Sequence, residues 1–104
     1  MKHKVPIGVL LSGSGSNLQA LIDACAQSEF PARIAVVVSN KKGAFGLQRA
    51  RDAGIPSEWV PARPHPSREI HEQRITEVLE EHGVEWVLCA GYMRLLGPRF
   101  VGHW

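Results

Sequence analysis

The amino-acid sequence predicts an α/β fold, a Rossmann-like parallel sheet with the element order β-α-β-α-β-α-β. Short runs rich in branched apolar residues alternate with segments whose apolar residues recur at helical spacing. The connections between these segments are short, which favours parallel strands joined by right-handed helical crossovers. The first apolar run leads into a loop of glycines and serines, directly before a helical pattern. Such a strand–loop–helix unit is typical of α/β proteins that bind phosphate.

Composition and charge are those of one globular domain over residues 1–104. A net charge of +2 without a basic block argues against nucleic acids and membrane surfaces as partners. No apolar run approaches the ~20 residues of a membrane span, and the basic start lacks a cleavage-site pattern. We therefore expect a cytoplasmic protein with neither a nucleic-acid nor a membrane partner.

The first half of the chain is predicted to contain two strands and two helices. Val5 to Leu11 forms the first strand, and Ile34 to Ser39 forms a second strand that is covered on both faces. Between them, a helix follows the glycine-rich loop and ends near Ser28. The second helix runs from Phe45 to Ala53, because Gly54 provides a stop signal.

The second half begins with a short third strand, Ser57 to Val60, followed by a proline-rich loop. Ser67 opens the third helix, Val84 to Ala90 forms the fourth strand, and Arg99 to Trp104 begins a further short helix. The third helix is predicted to face the core with Ile75, Val78, Leu79 and His82, and to direct Glu72, Glu77 and Glu81 away from it.

The order of the strands decides where a ligand binds and which strand is exposed. In an order 3-2-1-4, the fourth strand is an unpaired edge with the apolar residues Val84, Val87 and Leu88. Such an edge favours association with another chain. In sheets of this kind, ligands bind outside the carboxyl ends of the strands, where the strand order reverses.

Cysteines and histidines show no pattern of a metal or disulfide site. Cys25 and Cys89 fall within apolar-periodic segments and are predicted to be buried free thiols. The five histidines lack the spacing of metal ligands, so no metal is expected.

The glycine-rich loop allows three interpretations. Gly13 to Leu18 resembles the dinucleotide fingerprint G-x-G-x-x-G, but Leu18 replaces its third glycine. The second strand also ends in Ser39-Asn40 and two lysines, where a dinucleotide site needs an acidic residue for the ribose. A small phosphorylated ligand held by Gly15, Ser16 and Asn17 fits better. A glycine turn that only reverses the chain is the third interpretation.

Two further segments are ambiguous as bare sequence. Arg68 lies in the first turn of the third helix, where its charge opposes the helix dipole. It either meets a ligand or is a solvated surface arginine, and composition alone favours the second. Met93, Leu95 and Leu96 follow the fourth strand at the ligand-binding edge, but their apolar character favours the core over a pocket.

Motifs that match those of one known protein family run along essentially the whole chain. They are Leu11-Ser12-Gly13-Ser14-Gly15-Ser16-Asn17-Leu18-Gln19-Ala20, Val38-Ser39-Asn40-Lys41, Ala44-Phe45-Gly46-Leu47, Ala53-Gly54-Ile55-Pro56, Ser67-Arg68-Glu69 and Leu88-Cys89-Ala90-Gly91-Tyr92-Met93-Arg94-Leu95-Leu96. With these motifs, the sequence resembles the phosphoribosylglycinamide formyltransferase family of purine biosynthesis. The resemblance implies a truncated formyltransferase fold in which residues 1–104 are the amino-terminal, phosphate-binding part.

The resemblance also implies the ligands and the residues that bind them. The backbone of Gly15, Ser16 and Asn17 would hold the phosphate of glycinamide ribonucleotide. Arg68 would bind the co-substrate 10-formyltetrahydrofolate, and so would the segment of Met93, Arg94, Leu95 and Leu96. The resemblance thus replaces the earlier interpretations of Arg68 as a surface residue and of the Met93 segment as part of the core.

The family's catalytic asparagine and histidine lie in an Asn-Ile-His-Pro-Ser element beyond the position of Trp104, and its aspartate lies later still. We therefore expect no catalytic residue in this chain and no activity of the chain alone. The alternatives are another folate-dependent formyl-group enzyme, such as formyltetrahydrofolate hydrolase or methionyl-tRNA formyltransferase, and a non-catalytic nucleotide- or phosphate-binding module. Half of a split enzyme with a separate carboxyl-terminal partner is a further alternative.

Overall fold

The structure, a computed structural model, describes residues 4–13, 16–41, 43–61 and 68–89, without the side chains of Ser16, Arg68 and Glu69. Within these ranges, strands and helices alternate as the sequence predicts. The strands are β1 (Val5–Leu11), β2 (Ala32–Ser39), β3 (Ser57–Trp59) and β4 (Trp86–Cys89). The helices are α1 (Ser16–Cys25), α2 (Phe45–Asp52) and α3 (Arg68–Glu81).

The four strands form one parallel sheet in the order β3-β2-β1-β4, which confirms the predicted order. The chain moves outward from β1 through β2 to β3, and α3 then brings it back to β4 on the other side of β1. The strand order therefore reverses between β1 and β4. This switch point is where the carboxyl edge of a parallel sheet offers a crevice for a ligand.

Two apolar layers enclose the sheet, one on each face. On one face, α1 and α2 pack on β1 and β2, and the buried residues of this layer are Ile7, Val9, Leu11, Leu18, Ile34, Val37, Leu47 and Ala50. On the other face, α3 packs on the same two strands, and the layer comprises Leu10, Ala35, Val36, Val38, Val60, Ile75, Val78, Leu79 and Val84. The central strands are apolar throughout because both of their faces are covered.

An irregularity in β2 changes the side-chain alternation that a regular strand would show. The register opposite β1 passes from Ile7 paired with Ile34 to Gly8 paired with Val36, so Ala35 is an extra residue. Ala35 and Val36 consequently belong to the same apolar layer. The unbroken apolar run of β2 tolerates this shift, because either face of the strand meets an apolar layer.

Element boundaries depart from the sequence prediction at the ends of five elements. Strand β3 ends at Trp59, one residue before the predicted Val60. Helix α1 ends at Cys25, whereas the sequence predicted an end near Ser28, and β2 begins at Ala32 rather than Ile34. Strand β4 begins at Trp86 rather than Val84, because the backbone N–H of Val84 bonds to the carbonyl of Leu79 in α3 and not to β1. Helix α2 ends at Asp52, one residue early, and Gly54 follows with a φ of 73°. The predicted helix over 99–104 lies outside the described residues.

Helix α3 buries the predicted apolar residues Ile75, Val78 and Leu79, but the prediction for Glu72 was wrong. Glu72 is only 5% exposed. It precedes Ile75 by three residues and Leu79 by seven, which places it on the same side of the helix. The sequence prediction considered its charge and not its position in the helical repeat.

The prediction that both cysteines are buried was also wrong. Both are free thiols, as predicted, but Cys25 is half-buried and Cys89 is exposed. Cys25 is the last residue of α1, and Cys89 is the last residue of β4, an edge of the described sheet. Terminal positions of peripheral elements have fewer neighbours than their apolar periodicity suggests. Among the described residues, no helix has the length and apolar character needed to cross a membrane.

Candidate functional site

The candidate site lies at the carboxyl edge of the sheet, beside the switch point between β1 and β4. Leu10 of β1 pairs with Cys89 of β4, so the carboxyl ends of these two strands lie side by side. The segment after β1 is the glycine-rich loop, with Ser12 and Gly13 described. The segment after β4 contains the predicted folate-binding residues Met93, Arg94, Leu95 and Leu96, which lie outside the described residues.

Helix α1 begins immediately after the glycine-rich loop and directs its amino terminus toward this edge. The first turn, Ser16 to Gln19, contains no acidic residue that would offset the positive end of the helix dipole. Asn17 is exposed, and Leu18 next to it is fully buried and anchors the turn to the sheet. The first backbone N–H groups of a helix lack intrahelical acceptors. The turn thus offers hydrogen-bond donors and an uncompensated positive potential to an anion.

The entry of the glycine-rich loop is held by the connection between β2 and α2. Ser12 is 3% exposed, and its hydroxyl donates a hydrogen bond of 2.7 Å to Oδ1 of Asn40. The carbonyl of Gly13 accepts a bond of 3.3 Å from the backbone N–H of Gly46. Both contacts precede the loop's undescribed residues 14 and 15, so the position of the loop's first half depends on a neighbouring element.

The exit of the loop has a similar contact with α2. The guanidinium of Arg49 donates a hydrogen bond of 3.2 Å to the side-chain oxygen of Gln19 in α1. The same guanidinium lies 4.8 Å from the centre of the Phe45 ring, a cation–π distance. Stacking on the ring restricts the arginine, and this directs it toward the first turn of α1.

The predicted site residues have different outcomes. Asn17 lies in the first turn of α1, at the predicted edge, with an exposed side chain. Ser16 begins α1 and Arg68 begins α3, but their side chains are outside the described part of the structure, as is all of Gly15. The roles of Gly15, Ser16, Asn17 and Arg68 therefore stay predictions from the sequence.

Cys89, the last residue of β4, places a thiol at this edge of the sheet. Surrounding protein atoms raise the pKa of the Cys89 thiol, and no neighbouring cation opposes this shift. The thiol is therefore the neutral form at neutral pH, which is a poor nucleophile. The described ranges also contain no group of three histidine, cysteine or acidic residues that could hold a metal ion.

Sequence reasoning did not predict which residues after β2 and in α2 contact the loop. Asn40 was noted as the end of the second strand and in a family motif, and Gly46 and Arg49 as part of the second helix, but none was assigned a contact with the loop. One available signal was the position of Asn40, because residues that follow neighbouring parallel strands meet at the same edge. For Gly46 and Arg49 the signal was absent, since it depends on how closely α2 packs on β1.

The parallel sheet and the helix that starts at its switch point define a Rossmann-like α/β protein. The family model described as formyl transferase matches residues 5–104. The chain therefore belongs to the formyl transferase family, as its motifs predicted.

Individual relatives show which members of this family the chain resembles. The chain is 44% identical over 98 residues to phosphoribosylglycinamide formyltransferase of Escherichia coli, a match that covers 94% of this chain and 46% of the relative. It is 42% identical over 103 residues to the human trifunctional purine biosynthetic protein adenosine-3, covering 99% of this chain and 10% of that protein. Glycinamide ribonucleotide transformylase 1 of Symbiobacterium toebii has the same fold with a TM-score of 0.92 and 42% identity, covering 98% of this chain and 48% of that structure. The chain thus spans about half the length of the bacterial relatives it matches.

Proposed function

We propose that the protein transfers a formyl group from 10-formyltetrahydrofolate to glycinamide ribonucleotide, and that this chain supplies the phosphate-binding part of the site. The observation that carries the proposal is the first turn of α1, which begins at the glycine-rich loop and contains no acidic residue. Similarity to named phosphoribosylglycinamide formyltransferases supports the choice of ligand.

The phosphate of glycinamide ribonucleotide binds at Gly15, Ser16 and Asn17 in this proposal. A phosphate monoester carries close to two negative charges, which the helix dipole and the free N–H groups stabilise together. Leu18 is fully buried and keeps the first turn of α1 attached to the sheet. The donors are thereby fixed before the ligand arrives, which lowers the entropy cost of binding.

The folate co-substrate binds on the β4 side of the same edge, at Arg68 and at Met93, Arg94, Leu95 and Leu96. Arg68 begins α3, where a cation opposes the helix dipole and a negatively charged ligand would relieve the repulsion. The paired carboxyl ends of β1 and β4 support the proposal, since the two substrate-binding segments start from neighbouring positions on one edge of the sheet.

In the reaction, the amine of glycinamide ribonucleotide attacks the formyl carbon, a new C–N bond forms, and the bond from that carbon to the folate nitrogen breaks. A hydrogen-bond donor must stabilise the oxyanion, and the proton lost by the attacking amine must be accepted by a base and delivered to the leaving folate nitrogen. By resemblance these groups are an asparagine, a histidine and an aspartate outside these 104 residues. We therefore propose that a carboxyl-terminal part completes the site beside β4 and that the reaction takes place in the cytoplasm.

Isothermal titration of the protein with glycinamide ribonucleotide tests the binding proposal, with NADPH as the competing dinucleotide ligand. We expect binding of the ribonucleotide and none of NADPH. The variant Asn17→Asp places a negative charge in the first turn of α1 and should weaken binding by about tenfold or more, because a unit charge about 4 Å from a phosphate with two charges costs ~2 kcal/mol.

A matched control adds the same charge at the other end of the helix. Gln27→Glu, at an exposed position two residues beyond α1, should leave the affinity for the ribonucleotide within about twofold of the unsubstituted protein, because solvent and salt screen the distant charge. Equal weakening by both variants, or preferential binding of NADPH, would contradict the proposed phosphate site.

Transfer itself is tested by following the loss of 10-formyltetrahydrofolate in the presence of glycinamide ribonucleotide. The 104-residue chain alone should show no transfer, whereas the protein with its carboxyl-terminal part should show it. Transfer by the isolated chain would overturn the assignment of the catalytic groups to the remainder. Hydrolysis of the folate without formylation of the ribonucleotide would favour the alternative of another folate-dependent formyl-group enzyme.

A further inference from the structure

Three contacts join the glycine-rich loop and the helix after it to a single neighbouring segment, Asn40 to Arg49. They are the hydroxyl of Ser12 with Oδ1 of Asn40, the carbonyl of Gly13 with the N–H of Gly46, and the side chain of Gln19 with the guanidinium of Arg49. The first two contacts lie before the loop, and the third lies after it. The residues before and after the loop are therefore held by groups of one segment of the chain.

The contact between Gly13 and Gly46 serves the helix as much as the loop. Helix α2 has Ala44 at its N-cap, so no side chain there accepts a hydrogen bond from the unpaired N–H groups of the first turn. The carbonyl of Gly13 accepts one of them, from Gly46, at 3.3 Å. The loop thus provides a backbone cap for α2, and α2 in turn fixes the direction of the Gly13 peptide.

Position 46 requires a glycine for this contact. A Cβ added there would lie 2.6 Å from Cδ2 and 2.8 Å from Cδ1 of Leu11, the last residue of β1. Leu11 is fully buried in the layer under α1 and α2, so it has little room to move away. Only a residue without a side chain lets α2 approach the end of β1 closely enough for its N–H to reach Gly13.

The hydrogen bond between Ser12 and Asn40 is a second contact that holds the start of the loop. The hydroxyl of Ser12 is buried, and its bond of 2.7 Å to Asn40 joins the ends of β1 and β2 across the sheet. Loss of this acceptor would remove one of the contacts that fix Ser12 and the direction of the peptide that follows it.

We propose that Asn40 and Gly46 are positioning residues for phosphate binding: they act through Ser12 and Gly13 to hold the glycine-rich loop in its binding conformation. This inference rests on the proposed function of the loop and goes beyond it, because neither residue belongs to the proposed phosphate site. A loop that is already ordered binds a phosphate more tightly than a loop that must become ordered on binding. Loss of either contact should therefore weaken binding of the phosphorylated substrate and leave binding of the folate unchanged.

The experiment measures KM for each substrate and the affinity for glycinamide ribonucleotide in the complete protein. Asn40→Ala and Ser12→Ala should each raise the KM for the ribonucleotide by about tenfold, equivalent to one hydrogen bond, and leave the KM for the folate within about twofold. The double variant should resemble the single variants, at about tenfold rather than about a hundredfold, because both substitutions remove the same interaction.

Gly46→Ala should raise the same KM, and Gln48→Ala on the exposed side of α2 is the matched control. The exposed side chain of Gln48 bonds with Asp52 and Arg51 of its own helix, so its loss should leave both KM values unchanged. If Gly46→Ala does not fold, the KM values of the single and double variants at Ser12 and Asn40 test the proposal by themselves.

The outcomes separate this inference from the proposed function. If the unsubstituted protein binds the ribonucleotide and the variants have an unchanged KM but a lower thermal stability, the contacts are structural and the positioning role is overturned. Additive effects in the double variant, or equal rises in both KM values, would also overturn it. If the unsubstituted protein does not bind the ribonucleotide at all, both the proposed function and this inference fail.

Discussion

Gly8 lies in the middle of β1, where side chains from α3 and from the segment before β4 pack against the strand. A Cβ at this position would overlap Cδ2 of Leu79 in α3 and would lie 3.2 and 3.3 Å from the two methyl groups of Val84. Leu79 and Val84 are both buried in the layer that covers this face of the sheet. The absence of a side chain at Gly8 therefore allows α3 and Val84, two residues before β4, to pack directly on the strand.

The substitution Gly8→Ala should lower the free energy of unfolding by about 1–3 kcal/mol, because the added methyl group must displace two buried side chains. Urea denaturation measures this change. Gly13→Ala is the matched control, since a Cβ at Gly13 meets nothing within 4 Å and should change the stability by less than about 0.5 kcal/mol. Equal stability of the Gly8 variant and the unsubstituted protein would contradict the packing seen here.

At the scale of elements, one buried side chain connects the start of α3 to the end of β3. His71 is 1% exposed, and its Nε2 lies 2.8 Å from the carbonyl oxygen of Val60. A carbonyl only accepts, so Nε2 carries the proton in this contact. Val60 in turn donates its N–H to the carbonyl of Ser39 at 2.8 Å, which continues the connection into β2. His71 thereby fixes the helix turn that begins with Arg68.

Replacement of His71 by leucine should destabilise the protein by about 1–3 kcal/mol, because it removes a buried donor from the carbonyl of Val60 while keeping an apolar side chain in the core. His71→Gln retains an N–H donor and should lose less stability. Thermal unfolding monitored by circular dichroism compares the two. A leucine variant at least as stable as the glutamine variant would show that packing, and not the hydrogen bond, joins these elements.

On the scale of the whole molecule, the described sheet is unequally protected. Its faces are covered by two apolar layers, but β4 pairs only with β1 among the described strands. Trp86 is 65% exposed and Leu88 is 42% exposed on this edge strand. The predicted apolar edge is thus confirmed at Leu88, while Val84 was wrongly included, since it is only 8% exposed.

The 104-residue chain should associate at high concentration through β4, because an exposed apolar edge strand pairs readily with another chain. Light scattering measures the mean mass as the concentration rises. Leu88→Lys should reduce this association, since charge on an edge strand opposes pairing. Ile70→Lys is the control, with a similarly exposed residue, 45% against 42%, on a helix rather than on an edge. A monomeric unsubstituted chain, or equal effects of the two variants, would contradict association through β4.

Much of this architecture follows from local patterns in the chain. The bounds of β1, the start of α2 and the strand order β3-β2-β1-β4 agree with prediction. The predictions fail where local pattern and three-dimensional environment differ, as at Glu72, which is buried, and at Cys89, which is exposed. Periodicity reports one face of an element, but the neighbours that cover that face come from elsewhere in the chain.

The sequence by itself determined the class of fold, the family and the position of the glycine-rich loop before α1, because these depend on residue order and on the conformational freedom of glycine. Only the tertiary structure decided which groups hold that loop: Asn40, Gly46 and Arg49 lie 28 or more positions farther along the chain than the groups they bond. Their contacts arise from the close approach of α2 to the end of β1. Such an approach is set by side-chain volumes on both elements together, and no single segment of sequence contains it.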